Sequence, residues 1–255
     1  MFANKATGDY TWKTAFDWFL LAFLAGTVNA GGFMACHRFV THVTGFATLF
    51  GLALVDGNGL EAVGMISVPA FFLIGVIVAA WLVDRPLHRG EVPHYTIAMA
   101  LIAACLATAG LLGEKMFFGP FGGASDMSSD YFLMVLLCTA SGLQNAAIST
   151  SSGSTIRLTH LTGLTTDLGT GLVRAFTIRK HRRAFYRELR AALLRTGTIF
   201  AFGLGGVVGA ILFKSVGYLG FLVPAGIAVY AMLVANRDRP RRQRAKSDEL
   251  EHREG

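Results

Sequence analysis

Six stretches of this chain are apolar over about the thickness of a lipid bilayer. They are Trp18–Cys36, Ala62–Val83, Thr96–Gly113, Tyr131–Ser149, Ala191–Phe213 and Leu219–Ala235. Each approaches the roughly 20 residues that a helix needs to cross the hydrocarbon core. The 255 residues are 53% hydrophobic and only 15% charged, against roughly 25% charged in soluble domains. A soluble fold of this size could not hide so much apolar surface. In lipid the runs need only satisfy their backbone, which an α-helix does within one segment. The 30 glycines suit the same setting, where small residues let helices approach closely. An all-α integral membrane protein with about six transmembrane helices is therefore expected. The first run is preceded by Lys5 and Lys13 but is too long for a secretory signal, and part of it recurs later in the chain.

Two further stretches, Thr44–Val55 and Thr162–Phe176, are mildly apolar. At about 1.5 Å per residue they reach roughly 18 to 23 Å, short of the roughly 30 Å core. They read as half-helices or re-entrant segments. If both return to the side they enter from, most Lys and Arg fall on the side of the two termini, as cytoplasmic loops require. That side holds Arg179, Lys180, Arg182, Arg183, Arg187 and Arg190, and the cluster from Arg237 to Lys246. The other side holds Arg38, Lys115 and Lys214 among Asp56, Glu61, Glu114, Asp126 and Asp130. The net charge of +7 is thus explained by the bilayer, and no nucleic acid partner is expected. An arrangement with eight spans stays open.

The chain repeats itself. Thr41–Val55 (THVTGFATLFGLALV) set over Thr159–Val173 (THLTGLTTDLGTGLV) matches at eight of fifteen positions, where chance at frequencies near 7% gives about one. Upstream, Gly26-Thr27-Val28-Asn29-Ala30 lies over Gly142-Leu143-Gln144-Asn145-Ala146; downstream, the run from Gly75 faintly echoes the run from Gly206. The expected organisation is a cytoplasmic N-terminus (1–17), a first membrane repeat (18–113), an extracytoplasmic linker (114–130), a second repeat (131–235) and a basic cytoplasmic tail (236–255) that, lacking apolar periodicity, is expected to be disordered. Three full spans per repeat is an odd number, so the halves are expected to insert with inverted topology. Their short segments would then enter from opposite faces and meet near the midplane.

Irregular backbone at membrane depth must be buried in protein or line a wet cavity. Gly45 and Gly163 suit a sharp tip, and Thr41, Thr44, Thr159 and Thr162 can cap the amides of the helices that follow. Such helices present their positive ends to the cavity. His42 and His160 can exchange a proton or bind a solute, or bond to nearby carbonyls and hold the tips. Asn29 and Asn145, inside spans, either line the cavity or serve as hydrogen-bonding glue. Asp167 faces Leu49 in the repeat and breaks its symmetry. An acid at this depth is a functional candidate; otherwise it pairs with Arg157 or Arg174. Asp17, Arg38 and Arg174 are expected to snorkel to the interface, and Trp12, Trp18, Tyr131 and Tyr218 to lie there. Cys36, Cys105 and Cys138 are expected to pack as small apolar residues. No catalytic signature, metal cluster or cofactor motif is present.

At Gly142-Leu143-Gln144-Asn145-Ala146 and the run from Arg157 to Gly169 (RLTHLTGLTTDLG), the chain resembles the YoaK-like family of bacterial membrane proteins, the DUF1275 family. The family pattern there is GLQNA followed by R-x-THVTG-x-x-TDLG. The first half departs from it: the family usually has an MTGN-like tip, whereas this chain has Val43-Thr44-Gly45-Phe46, so a substrate that depends on that Asn would differ here. The resemblance spans roughly residues 15–235. It implies a bacterial plasma membrane protein of about six helices and supplies no mechanism. The leading expectation is a transporter or channel, not an enzyme, for a small solute such as a small anion or polar organic molecule. Its site would be built from Asn29, Thr41, His42, Thr44, Gly45, Asn145, Thr159, His160, Thr162, Gly163 and Asp167. The alternatives are a membrane-embedded enzyme using His160 and Asp167 as an acid–base pair, and a scaffold or sensor whose basic face meets anionic lipid.

Overall fold

Long apolar runs rich in Ala and Leu become helices because nothing else closes their backbone bonds in lipid. The computed structural model describes residues 10–123, 127–153, 158–178 and 181–254. Lys5, Asp126, Arg157, Arg179 and Lys180 lie outside these residues; of Glu61, Asp130 and residues 240–254 only the helical backbone is described. Nine α-helices are described: α1 (Trp12–Cys36), α2 (Val43–Val55), α3 (Gly59–Ala79), α4 (Arg85–His88), α5 (Tyr95–Glu114), α6 (Met127–Ser151), α7 (Leu161–Thr177), α8 (Arg182–Val216) and α9 (Leu222–Glu254). A π-helical turn, Ala80–Asp84, joins α3 to α4, and a 3₁₀ turn, Gly217–Phe221, joins α8 to α9. Gly217 has φ of 53°, a left-handed value that a residue with a Cβ rarely adopts, and there the chain reverses. Among the described residues there is no strand.

Among the described residues, five helical stretches are long and apolar enough to cross a membrane, and the last, Arg182–Arg239, contains α8 and the first part of α9. Every apolar run seen in the sequence lies in one of these stretches. The two short segments are the separate helices α2 and α7. Helix α9 continues to Glu254, through the charged stretch after Asn236 that lacks apolar periodicity.

Helix α1 packs on α8, α3 on α6 and α5 on α9, while α2 lies on α3 and α7 on α8. These pairs are unchanged when the two halves are exchanged. Directions follow from the contacts. Phe19 lies against Gly197, Phe23 against Gly205, Thr27 against Gly209 and Phe213 against Gly31, so α1 and α8 run parallel. The Tyr131 hydroxyl donates to the Val63 carbonyl at 3.4 Å and Thr139 to that of Phe71 at 3.4 Å, so α3 and α6 also run parallel. Helices α1 and α6 are antiparallel: Gly32 meets Leu137, whereas Gln144 Nε2 reaches back to the Leu21 carbonyl at 2.8 Å. Helices α5 and α9 are antiparallel as well, with Gly113 against Tyr218 and Gly110 against Leu222.

Glycines set the two closest crossings. A methyl group on Gly26 would strike the Phe202 carbonyl, and one on Gly205 that of Phe23; in the other pair Gly142 faces the Phe72 carbonyl and Gly75 that of Thr139. Each crossing is therefore backbone against backbone. The contacts pair Gly75 with Gly205, one residue from the Gly206 register read in the sequence; a Cβ on Gly206 would meet nothing within 4 Å.

Polar side chains are buried within an apolar core, and many large apolar side chains face outward. Asn29, Thr41, Ser141, Gln144, Asn145, Thr159 and Thr198 are buried, while Leu54, Val55, Ile66, Leu73, Ile77, Phe200, Val207 and Ile211 are exposed. Water would penalise that arrangement, and lipid accepts it. Three residues expected at the interface are in the core instead. Asp17 is fully buried and accepts from the Tyr230 hydroxyl at 3.3 Å; Trp18 and Tyr218 are buried too. Asp17 reaches Tyr230 of α9, Trp18 lies against Tyr10 and Tyr218 packs on Gly113 of α5, neighbours that single-helix hydropathy does not reveal. Trp12 is exposed at the start of α1, as expected of an interfacial aromatic. Cys36 and Cys138 are buried and form no disulfide among the described residues; their thiols donate to the carbonyls of Gly32 and Val40.

Candidate functional site

The tips of α2 and α7 share one cavity. Its volume is about 120 Å³, and it is lined by Thr41, His42, Val43, Thr44, Thr159, His160, Leu161, Thr162 and Gly163. The two copies of the Thr-His-x-Thr-Gly unit, 118 residues apart in sequence, thus build a single space. Val40, beside the first tip, accepts from the Cys138 thiol; Thr159, in the second, is bonded to Asn145. These anchors lie roughly 16 Å and 27 Å along α6, whose 25 residues span about 37 Å. The tips therefore sit well away from both ends of the bundle.

Asn29 and Asn145 hold the tips from behind. The Thr41 hydroxyl donates to Asn29 Oδ1 at 2.7 Å, and the Thr159 backbone N–H donates to Asn145 Oδ1 at 3.5 Å. Neither Asn lines the shared cavity; each fastens the tip of its own half. The bonding is not symmetric. The Thr41 hydroxyl is engaged, whereas Thr159 Oγ1 is buried without a partner. His42 Nδ1 is likewise buried without a partner, and the His42 ring meets Phe39 edge-on at 5.2 Å.

The capping roles expected of the threonines are not what is observed. His42 and His160 occupy the N-cap positions and neither makes a side-chain cap bond. Thr44 and Thr162 fall inside the first turns, where their carbonyls accept from Thr48 at 3.5 Å and Thr166 at 3.0 Å. Gly45 and Gly163 do not supply an unusual φ either; both are helical and absent from the positive-φ set. A Cβ at Gly163 would meet nothing within 4 Å, so this glycine leaves cavity space that a side chain would fill.

Asp167 does not join the cavity. It lies seven residues beyond His160 on α7, roughly 10 Å along the axis, and is exposed; its carbonyl accepts from Arg195 Nη1 at 3.2 Å.

Two larger cavities flank the tips, and neither was apparent in the sequence. One of about 420 Å³ is lined by His160, Asn145, Ala146, Ser149, Thr150, Phe72, Val76, Ala80 and Asp84. His160 lies in its wall and in that of the tip cavity. The π-helical turn Ala80–Asp84 forms part of the same wall, a distortion common at functional sites. The other, about 360 Å³, is lined by Phe33, Met34, His37, Phe121, Gly122, Phe213 and Lys214. In the register of the crossing glycines Ser149 corresponds to Phe33, Thr150 to Met34 and Asp84 to Lys214. The two spaces are thus repeat-related in position and different in chemistry. That register, one residue off in the sequence reading, was the signal that could have exposed them.

A bundle of apolar helices with its polar side chains turned inward defines a multi-pass membrane protein. Residues 18–234 match the family described as "Protein of unknown function (DUF1275)", and the chain belongs to that family, as its GLQNA and THxTG motifs indicated. It is also similar to the UPF0700 transmembrane protein YoaK of Bacillus subtilis (strain 168), with 26% identity over 195 residues, which cover 75% of this chain and 80% of the relative. No solved structure matches significantly.

Proposed function

We propose that this protein carries a small solute across the bacterial inner membrane, either as a channel or as a carrier, with its site between the two tips. One observation carries the reading: the duplicated Thr-His-x-Thr-Gly segments, far apart in sequence, enclose one polar cavity inside an apolar bundle. Two atoms facing this space, Thr159 Oγ1 and His42 Nδ1, are buried without a partner, at a cost of roughly 1 to 3 kcal/mol each that a purely structural core would shed. The halves are inverted-topology repeats in this reading, and α2 and α7 are re-entrant half-helices. The opposed directions of α1 against α6 and α5 against α9 support it, because a parallel repeat would align each pair. Both termini are then cytoplasmic. The acid–base reading finds no support in the geometry, since Asp167 and His160 do not share the tip cavity.

Two measurements test the proposal. Single cysteines at Asn58 and Arg89, probed with an impermeant thiol reagent, should label from outside and from the cytoplasm respectively; the reverse pattern contradicts re-entrant α2. Purified protein in liposomes should admit at least one solute from a panel of small anions, urea, glycerol and amino acids faster than empty vesicles, and His160→Ala should abolish that flux while the protein still folds. Equal flux through the folded variant refutes the site.

A further inference from the structure

We infer that the space between the tips binds a small monovalent anion, a halide or an oxyanion of a few heavy atoms. The inference rests on the transport reading for its purpose but stands on separate geometry.

Helices α2 and α7, of 13 and 17 residues, both begin at the cavity. Their N-caps offer no side-chain acceptor, so the first-turn amides of Val43, Thr44, Leu161 and Thr162 keep their donors for whatever occupies the space. Each terminus also brings about half a positive charge. A second, independent observation points to a ligand. Thr159 is 3% exposed, lines the cavity, and its hydroxyl has no partner. The corresponding hydroxyl of Thr41 is bonded to Asn29, whereas Thr159 meets Asn145 through its backbone N–H and keeps its O–H free. His42 Nδ1 is buried and unpartnered at the same space, and can donate in the appropriate tautomer.

The lining contains no carboxylate. The hydroxyls and imidazoles can donate or accept, and the first-turn amides can only donate, so an anion can be met by donors on every side. A neutral amide such as urea brings no charge for the two helix termini to stabilise. Size sets the remaining limit. At ~30 Å³ per water in the liquid, 120 Å³ holds about four water-sized groups, room for chloride, nitrate or formate but not for gluconate.

The test uses the full chain in two arms. In liposomes, potassium is clamped with valinomycin and the flux of chloride, nitrate, formate and gluconate is recorded, with urea and glycerol followed by swelling. In detergent, the melting temperature is read with sodium nitrate against sodium gluconate at equal ionic strength. The expected result is flux of one or more small monoanions, none of gluconate, urea or glycerol, and a higher melting temperature in nitrate. Thr159→Val, which removes the hydroxyl and keeps the shape, should lower anion flux about 10-fold or more, the size of a lost hydrogen bond to a charged group. Thr159→Ser should restore it to within about 3-fold. Urea or glycerol flux without anion flux overturns the anion assignment and leaves transport standing. No flux of any solute, with nitrate still stabilising the protein, refutes transport and leaves the anion site; no flux and no stabilisation refutes both. Unchanged anion flux in a folded Thr159→Val protein also overturns the assignment.

Discussion

Gly205 and Gly206 are neighbours on one helix with opposite surroundings, and replacing each by Ala isolates the price of the backbone crossing. At Gly205 the new carbon would lie well inside 3.0 Å of the Phe23 carbonyl oxygen, backbone that cannot rotate away, whereas at Gly206 it meets nothing within 4 Å. To make room, α1 and α8 must part by about 1 Å, and gaps of that size forfeit a quarter to a half of each atom pair's dispersion energy. Overpacking of this kind destabilises by about 1 to 3 kcal/mol. Ala is favoured over Gly in a helix by about 1 kcal/mol, which offsets part of the loss at Gly205 and acts alone at Gly206. The two variants should therefore differ by about 2 kcal/mol or more, with Gly206→Ala at or above wild type. At roughly 2 to 4 °C per kcal/mol for a chain of this size, melting in detergent should separate them by about 5 °C. Gly142→Ala, whose methyl strikes the Phe72 carbonyl, should fall with Gly205→Ala. If Gly205→Ala melts as high as Gly206→Ala, the close crossing and the register built on it are wrong.

Three further outcomes are expected. Gly163→Ala should raise stability by up to about 1 kcal/mol through helix propensity and at the same time reduce flux, because its methyl enters the tip cavity; a variant that is more stable and equally active contradicts the cavity's role. Asn29→Ala, which removes the acceptor of the 2.7 Å Thr41 bond, should cost about 1 to 3 kcal/mol, more than Asn145→Ala, whose bond is 3.5 Å; the order of their melting temperatures is the check. Tyr230→Phe should lose about 1 kcal/mol by removing the hydroxyl that reaches buried Asp17, measured by the same melts.

The apolar runs were legible because span length is a one-dimensional property, and each emerged as helix. The tips were legible because duplication printed the same five-residue unit twice, and the cavity brings those units together. What could not be read depends on neighbours. Asp17, Trp18 and Tyr218 look interfacial on a single helix, yet neighbouring segments bury them. Gly45 and Gly163 suggested an irregular backbone, but both sit in regular helix; of the two, Gly163 lines the tip cavity, where the absence of a side chain leaves space. Asn29 and Asn145 had two readings; the bonds to Thr41 and Thr159 make them anchors of the tips. Asp167 was singled out as an acid inside an apolar segment, and two helical turns, about 10 Å of axial rise, carry it out of the cavity that the histidine seven residues earlier lines.

A frame made by duplication has no preferred direction, since each half is the other's image. Asp84 and Lys214 break that indifference. They occupy corresponding positions in the two larger cavities, one acidic and one basic, so the two spaces differ in the sign of their charge. Under the proposed transport function, a charged solute would be drawn to one entrance and opposed at the other, and exchanging the two charges should reverse the favoured direction without altering a single helix.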